Sequence, residues 1–208
     1  MELYEAINAR RTVRDFSDQP VERSVTERII TAGLKAPSND HLRRWEFVVV
    51  NNRDKRTELL KAMIRLSSRP DVERWLDSWG AADETQRAMY LDAVPKQYAM
   101  LMNAGCLILP FFYHPGDLLA PESLSSLNGF ASIWCCIENM LLAAASEGLY
   151  GVTRIPMNGE SRHVKAVVNG PDGYVMPCYV ALGYPAANAE AVRQKAILPC
   201  DRIHMEAW

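Results

Sequence analysis

Apolar positions recur along the chain with a helical period in some stretches and as short continuous runs in others, and the switches between the two divide it into elements. Leu3 and Ile7, with Tyr4 beside them, put an apolar stripe on a short opening helix. Arg10-Arg11-Thr12-Val13-Arg14 breaks that spacing and reads as extended chain. Pro20-Val21 leads into Ser24, which can cap a second helix carrying Val25, Ile29, Ile30 and Ala32, and Pro37 stops it. A polar loop over residues 38–44 follows. Glu46 to Val50 has the β-branched, apolar run of a buried central strand, and Asp54 to Leu66 returns to helical spacing through Leu59, Leu60, Met63 and Ile64.

Residues 67–103 place Trp75, Trp79 and Tyr90 among charges and small residues, the pattern of a helical excursion built from short helices. Cys106 to Tyr113 reads as a strand, and Pro110 within it points to an edge or a bulge. A loop over 114–128 precedes Phe130 to Ser146, a helix with Phe130, Ile133, Trp134, Ile137 and Leu141 on one face. Ala131, Cys135, Met140 and Ala144 make its remainder nearly as apolar. Such a helix needs covering all round, either by a fully central position or by a partner subunit, and the second option predicts a dimer. Gly148 ends it. After the turn cluster Asn169-Gly170-Pro171-Asp172-Gly173, Tyr174 to Tyr184 reads as a strand, and a polar tail closes on Ile203, Met205 and Trp208. No repeat or linker divides the chain, so the expectation is a single domain over 1–208 with 67–103 as a variable excursion and 186–208 as a tail. The mixed order of helices and strands predicts a layered α/β or α+β fold.

Composition narrows the function. The 208 residues are 49% hydrophobic, enough for a sizeable core, and 23 basic against 25 acidic residues leave a net charge of −2, which gives no field to gather nucleic acid or a membrane surface. Five cysteines without C-x-x-C spacing indicate neither a disulfide framework nor a metal site, and reduced thiols of the cytoplasm are the simpler expectation. The acidic start Met1-Glu2-Leu3-Tyr4-Glu5 is unlike a signal peptide, and no apolar run of the roughly 18 residues that span a bilayer is expected. H-E-x-x-H, G-x-S-x-G, G-x-G-x-x-G and Walker motifs do not occur, so metal hydrolysis, serine catalysis and a resident Rossmann nucleotide find no support.

Two clusters have the composition of a ligand site. In extended chain Arg10, Thr12 and Arg14 project to one side, two guanidiniums flanking a hydroxyl, which is a phosphate-shaped set of donors. Each charge-assisted bond of this kind contributes roughly 1.5–3 kcal/mol, and a solvated basic turn is the competing reading. The second cluster runs from Ala36-Pro37-Ser38-Asn39-Asp40-His41 to Trp45-Glu46-Phe47 and offers hydroxyl, amide and imidazole groups where a helix gives way to a strand. Taken alone, His41 is more often a surface or structurally bonded histidine than a ligand contact.

Together the clusters resemble the nitroreductase superfamily, whose pattern is an R-R-S-x-R run, a P-V step and A-P-S-x-x-N-x-Q-P-W-x-F. The resemblance continues through Leu141-Leu142-Ala143-Ala144, Gly148-Leu149-Tyr150-Gly151 and Ala181-Leu182-Gly183-Tyr184-Pro185. It implies an α+β fold with a central mixed sheet flanked by helices, in an intertwined homodimer with FMN at each subunit interface. Arg10, Arg11, Thr12 and Arg14 would then hold the phosphate and ribityl chain, Ser38 and Asn39 would contribute from the second subunit, and Lys195 or Arg202 would complete the phosphate site. His41 stands where most relatives have Asn, and Arg43 and Arg44 replace Gln and Pro. His41 and the run from Gly148 through Thr153 to Pro156 and Asn158 resemble the iodotyrosine-deiodinase branch, in which the segment here written Thr153-Arg154-Ile155 lies against the flavin. Ile155 has no hydroxyl, which predicts two-electron hydride chemistry with a backbone N–H facing N5. The activity implied is ping-pong transfer from NADH or NADPH to a nitroaromatic or quinone. The alternatives are a reductive dehalogenase or another metabolite-specific flavoenzyme, or a flavin-binding module without turnover.

Overall fold

Cys106–Tyr113 (β2) is buried from Cys106 to Phe112, and the rest of the fold is arranged around it. In the computed structural model, which describes residues 1–157, 159–191 and 196–208, Trp45–Val50 (β1) pairs with one side of β2. Tyr174–Val175 (β4) and Tyr179–Gly183 (β5) share its other side, and Tyr150–Arg154 (β3) completes the sheet beyond β5. Every strand pairing among the described residues is antiparallel, where a mixed sheet is expected from the resemblance. The α+β class holds.

The expected places of the first two strands are exchanged: β2 is central, and β1 forms an edge among the described residues. Pro110 explains how a proline tolerates a central strand. It faces Phe47 on the β1 side, but on the other side β5 pairs only with Cys106 to Ile108 and β4 only with Phe112 and Tyr113. Pro110 therefore lies in the gap between them, where no ladder bond is missed. β1 leaves Glu46 and Val49 exposed, as an edge strand can. The single strand expected over 174–184 is two, interrupted at Met176-Pro177-Cys178.

Alternation along β2 feeds two cores. Leu107, Leu109 and Phe111 join Leu59, Leu60, Met100, Leu101 and Val164 on one face. Cys106, Ile108 and Phe112 join Ile29, Ile133, Ile137 and Met140 on the other. The first face is covered by Arg53–Leu59 (α3), Glu84–Asn103 (α5) and Glu160–Val167 (α7), the second by Arg23–Gly33 (α2) and Asn128–Ser146 (α6). α2 begins after Glu22, not at a Ser24 cap. It approaches α6 closely: a Cβ on Gly33 would stand 2.6 Å from Met140 Cγ and 2.9 Å from Cys136 Sγ. Cys136 and Cys178 are packed as apolar residues, and burial pushes the Cys136 thiol up to about 12.

In the excursion, Arg69–Ser78 (α4) is followed by the 20-residue α5, longer than the short helices expected. Val72, Leu76, Ala81 and Val94 form a satellite core there, against which Trp75 and Tyr90 pack. α6 buries one face and leaves Ala131, Cys135 and Glu138 open, with Trp134, Leu141 and Leu142 half-buried, so it is not covered all round within the chain. Beside it Leu3–Ala9 (α1) exposes Leu3, Tyr4 and Ile7. The segment Leu124–Ser146 is by length and composition apolar enough to cross a membrane, which corrects the absence inferred from the sequence. Its Ile133, Cys136, Ile137, Met140 and Ala144 are spent on the core between sheet and α2.

Candidate functional site

The basic segment leaves α1 at Arg10, whose extended backbone (φ −61°, ψ 113°) turns the chain away from the helix. Val13 is buried and anchors the segment, while Arg10, Arg11, Thr12 and Arg14 stay half-exposed. Phe16 bridges to Pro185, and the amides of Ser17 and Ala186 bond Tyr184 and Asp15 at 2.9 and 3.0 Å, so the end of β5 fixes the register. Arg10 Nε lies 3.4 Å from Glu138 of α6, and an Arg11 Nη1 donates to the Arg10 carbonyl at 2.9 Å. Burial pushes the Arg14 guanidinium below its usual value, opposed by the nearby Asp92 and Asp15.

The second cluster is a loop organised by Asp40. Its carboxylate accepts from the Leu42 amide (3.0 Å), Ser38 Oγ (3.1 Å) and Arg44 Nη2 (3.0 Å). Those donors, the Leu42 amide first and Arg44 next, hold the carboxyl below the usual range. The bonds help support a costly backbone, since His41 (φ 57°) and Arg43 (φ 46°) both sit in the left-handed region. Ser38 is buried, whereas Asn39 and His41 present their side chains at the surface. The Asn39 amide donates to Ser132 Oγ of α6 at 3.3 Å. Ser132 and Glu138 are six residues apart, about 9 Å along the helix and about 120° around it. The two clusters therefore do not share a face of α6 within one protomer.

At the end of β3, Thr153 is half-buried, Ile155 is 62% exposed, and Arg154 points inward. The Arg154 guanidinium forms a fork with Glu160 at the start of α7: Nη1 to Oε2, and Nη2 to Oε1 at 2.9 Å. Both side chains are almost wholly buried, at 4% and 1% exposure. Nε donates to Gln97 of α5 at 2.9 Å. One turn of α5 thus gathers both ends of the site, because Lys96 beside Gln97 bonds Asp15 at 3.0 Å and Asp92 at 2.8 Å.

A helical layer on each face of this sheet, with the basic segment, the Asp40 loop and the end of β3 around it, agrees with a match to the family model described as Nitroreductase family over residues 7–184. The chain belongs to the nitroreductase family. It is 28% identical over 195 residues to the iodotyrosine deiodinase of Nematostella vectensis, covering 91% of this chain and 69% of that one. It is 27% identical over 212 residues to a putative NADH dehydrogenase/NAD(P)H nitroreductase of Methanothermobacter thermautotrophicus, covering 100% and 88%. Among solved structures, oxidized iodotyrosine deiodinase bound to FMN and 3-iodo-L-tyrosine superposes with a TM-score of 0.70, 20% identity and full coverage of both chains, which shows the common fold. Membership makes this chain a flavin oxidoreductase of the nitroreductase type.

Of the residues singled out in this nitroreductase-family sequence, α5 joins Arg14 and Arg154 through Asp15 and Gln97, and Ser38, Asn39 and His41 share one loop. Arg154 offers only its backbone to a ligand, its side chain being engaged with Glu160 and Gln97. Arg202 is exposed beside the short turn Pro199–Asp201, and Lys195 lies outside the described residues. Glu160, Gln97, Lys96 and Asp92 were not legible as site residues; the 92/96 spacing of opposite charges is the one local signal. Beside the pair, Tyr179 is fully buried with a hydroxyl that has no partner among the described residues. Tyr179→Phe is therefore expected to be neutral or to stabilise by about 1–2 kcal/mol. A urea midpoint lower than wild type would show that the hydroxyl is satisfied in solution.

Proposed function

We propose that this chain binds FMN and transfers two electrons from NADH or NADPH to an oxidised organic acceptor, a nitroaromatic or a quinone, in a ping-pong cycle. The observation that carries this reading is the meeting on one turn of α5 of the basic segment, a phosphate-shaped set of donors, with the end of β3. The donor set suits the group: guanidiniums and a hydroxyl half-withdrawn from solvent at Arg10, Thr12 and Arg14, with the half-buried Thr153 and the exposed Ile155 at the end of β3. Bound there, the flavin supplies the hydride chemistry, and the protein supplies orientation. Arg10, Arg11, Thr12 and Arg14 bind the phosphate and ribityl chain. Ser38, Asn39 and His41 contribute from a second copy, and Lys195 or Arg202 completes the phosphate site. Thr153, Arg154 and Ile155 face the ring through backbone, with the Ile155 side chain excluding water.

A homodimer is part of this reading. It is supported by the open stripe of α6, the apolar residues exposed on α1, the exposed Ile203, Met205 and Trp208 of the tail, and the separation of the two clusters around α6. The five free cysteines suit a cytoplasmic protein.

Purified protein is expected to be yellow, to sediment as a dimer, and to lose its flavin absorbance when NADH or NADPH is added without oxygen. Colourless protein that ignores added FMN overturns the reading. The deiodinase relative favours a second one, reductive dehalogenation, which a single turnover of reduced enzyme against halotyrosines and nitroaromatics separates from the first. Flavin that binds but is reduced by neither nicotinamide would leave a binding module.

A further inference from the structure

β1 and β2 run antiparallel, so the last residues of β1 and the first of β2 lie at one corner of the sheet. The chain from Asp18 to Val21 crosses that corner, with the Val21 amide on the Gly105 carbonyl at 3.3 Å. Between them lies a cavity of about 340 Å³ whose walls include Asp18, Asn51, Arg53, Arg56, Met102 and Asn103. None of the candidate flavin residues among the described residues lines it.

Arg56 lies deep in its wall, 4% exposed. Nε donates to the Val50 carbonyl at 2.8 Å, and Nη1 to those of Met102 and Ala104 at 3.0 and 2.6 Å. Three carbonyls orient the guanidinium without neutralising it. Nη2 has no hydrogen-bond partner among the described residues, and Arg56 is part of the cavity wall. No carboxylate of the described residues pairs with Arg56; of the groups acting on it, the buried Cys106 favours its charge and a second cation, Arg53, opposes it. Burial pushes its guanidinium below the usual value. The other deeply buried arginine, Arg154, has Glu160. A buried cation without a counter-charge is costly, and an anion entering from the cavity would remove that cost.

We propose that this cavity binds a small oxyanion, a carboxylate or a phosphate, between the guanidiniums of Arg56 and Arg53. Arg53 is exposed and its one side-chain hydrogen bond among the described residues, to Asn103 Oδ1 at 3.5 Å, is loose, so it is free to close over the ligand. The amides of Asn51 and Asn103 supply further donors. Asp18 stands beyond ion-pairing distance of both arginines among the described residues, and its charge disfavours polyanions. The volume is that of a small organic ligand, near the lower end of ordinary binding pockets.

The test is calorimetric titration of FMN-saturated protein, so that the basic segment is already occupied, with succinate and with inorganic phosphate in separate runs. If flavin does not bind, the same titration on protein as purified tests the cavity independently of the flavin reading. Saturable binding of either anion, weakened about tenfold or more in both Arg53→Gln and Arg56→Lys, is the expected result. The anion that saturates identifies the ligand class. Saturation by neither, or binding that both variants leave unchanged, overturns the proposal. Should Arg56→Lys fail to fold, the Arg53→Gln result decides.

Discussion

Glu160→Ala is expected to destabilise the protein by about 3–5 kcal/mol, the cost of leaving one member of a buried ion pair without its partner. The carboxylate has no access to water and meets Arg154 as a fork, which satisfies two guanidinium nitrogens at once. Without it, Gln97 alone would face the charge, through Nε. Glu160→Gln should cost less, because an amide oxygen still accepts. Replacing both partners together, as Arg154→Met with Glu160→Leu, should recover most of the loss, since no charge then remains buried. Urea unfolding of the four proteins reads all of this. A loss under about 1 kcal/mol for Glu160→Ala would mean that water reaches the pair. The same variant should loosen the flavin, because Arg154 ties the end of β3 to α5 and α5 in turn holds Asp15 beside the basic segment.

Arg14→Ala is expected to weaken FMN binding about 10- to 150-fold, equivalent to one charge-assisted bond of about 1.5–3 kcal/mol. Burial pushes the Arg14 guanidinium below its usual value, and Asp92 and Asp15 help keep it charged. Its removal should leave the local fold standing, because Lys96 still holds Asp15 and Val13 is still buried. Arg14→Lys should fall between wild type and alanine, the charge being kept and the planar fork lost. Flavin fluorescence titration measures the ratio directly. An affinity unchanged in Arg14→Ala would remove the basic segment from the phosphate site.

Local chemistry is visible along the chain where composition and period coincide. The basic segment, the Ala36-Pro37-Ser38 step and the apolar face of α6 each occupy adjacent or helically spaced positions, so their composition is visible in a short window. The strand positions were not, because a run such as Phe47-Val48-Val49-Val50 looks the same at an edge that helices partly cover as it does at the centre. Pro110 misled for a related reason: whether its missing donor costs a bond depends on where β4 and β5 end, residues more than sixty positions away.

By itself, the order of residues determined the α+β class and the family pattern, since each is set by neighbours along the chain. Tertiary structure alone decided the role of each arginine. Arg154 reads as part of a ligand-facing run and is instead neutralised within the core by Glu160, while Arg56 reads as an ordinary helix residue and is buried without a carboxylate partner among the described residues. The burial of a charge and the identity of its partner depend on which elements converge in space, and no local spacing encodes that convergence.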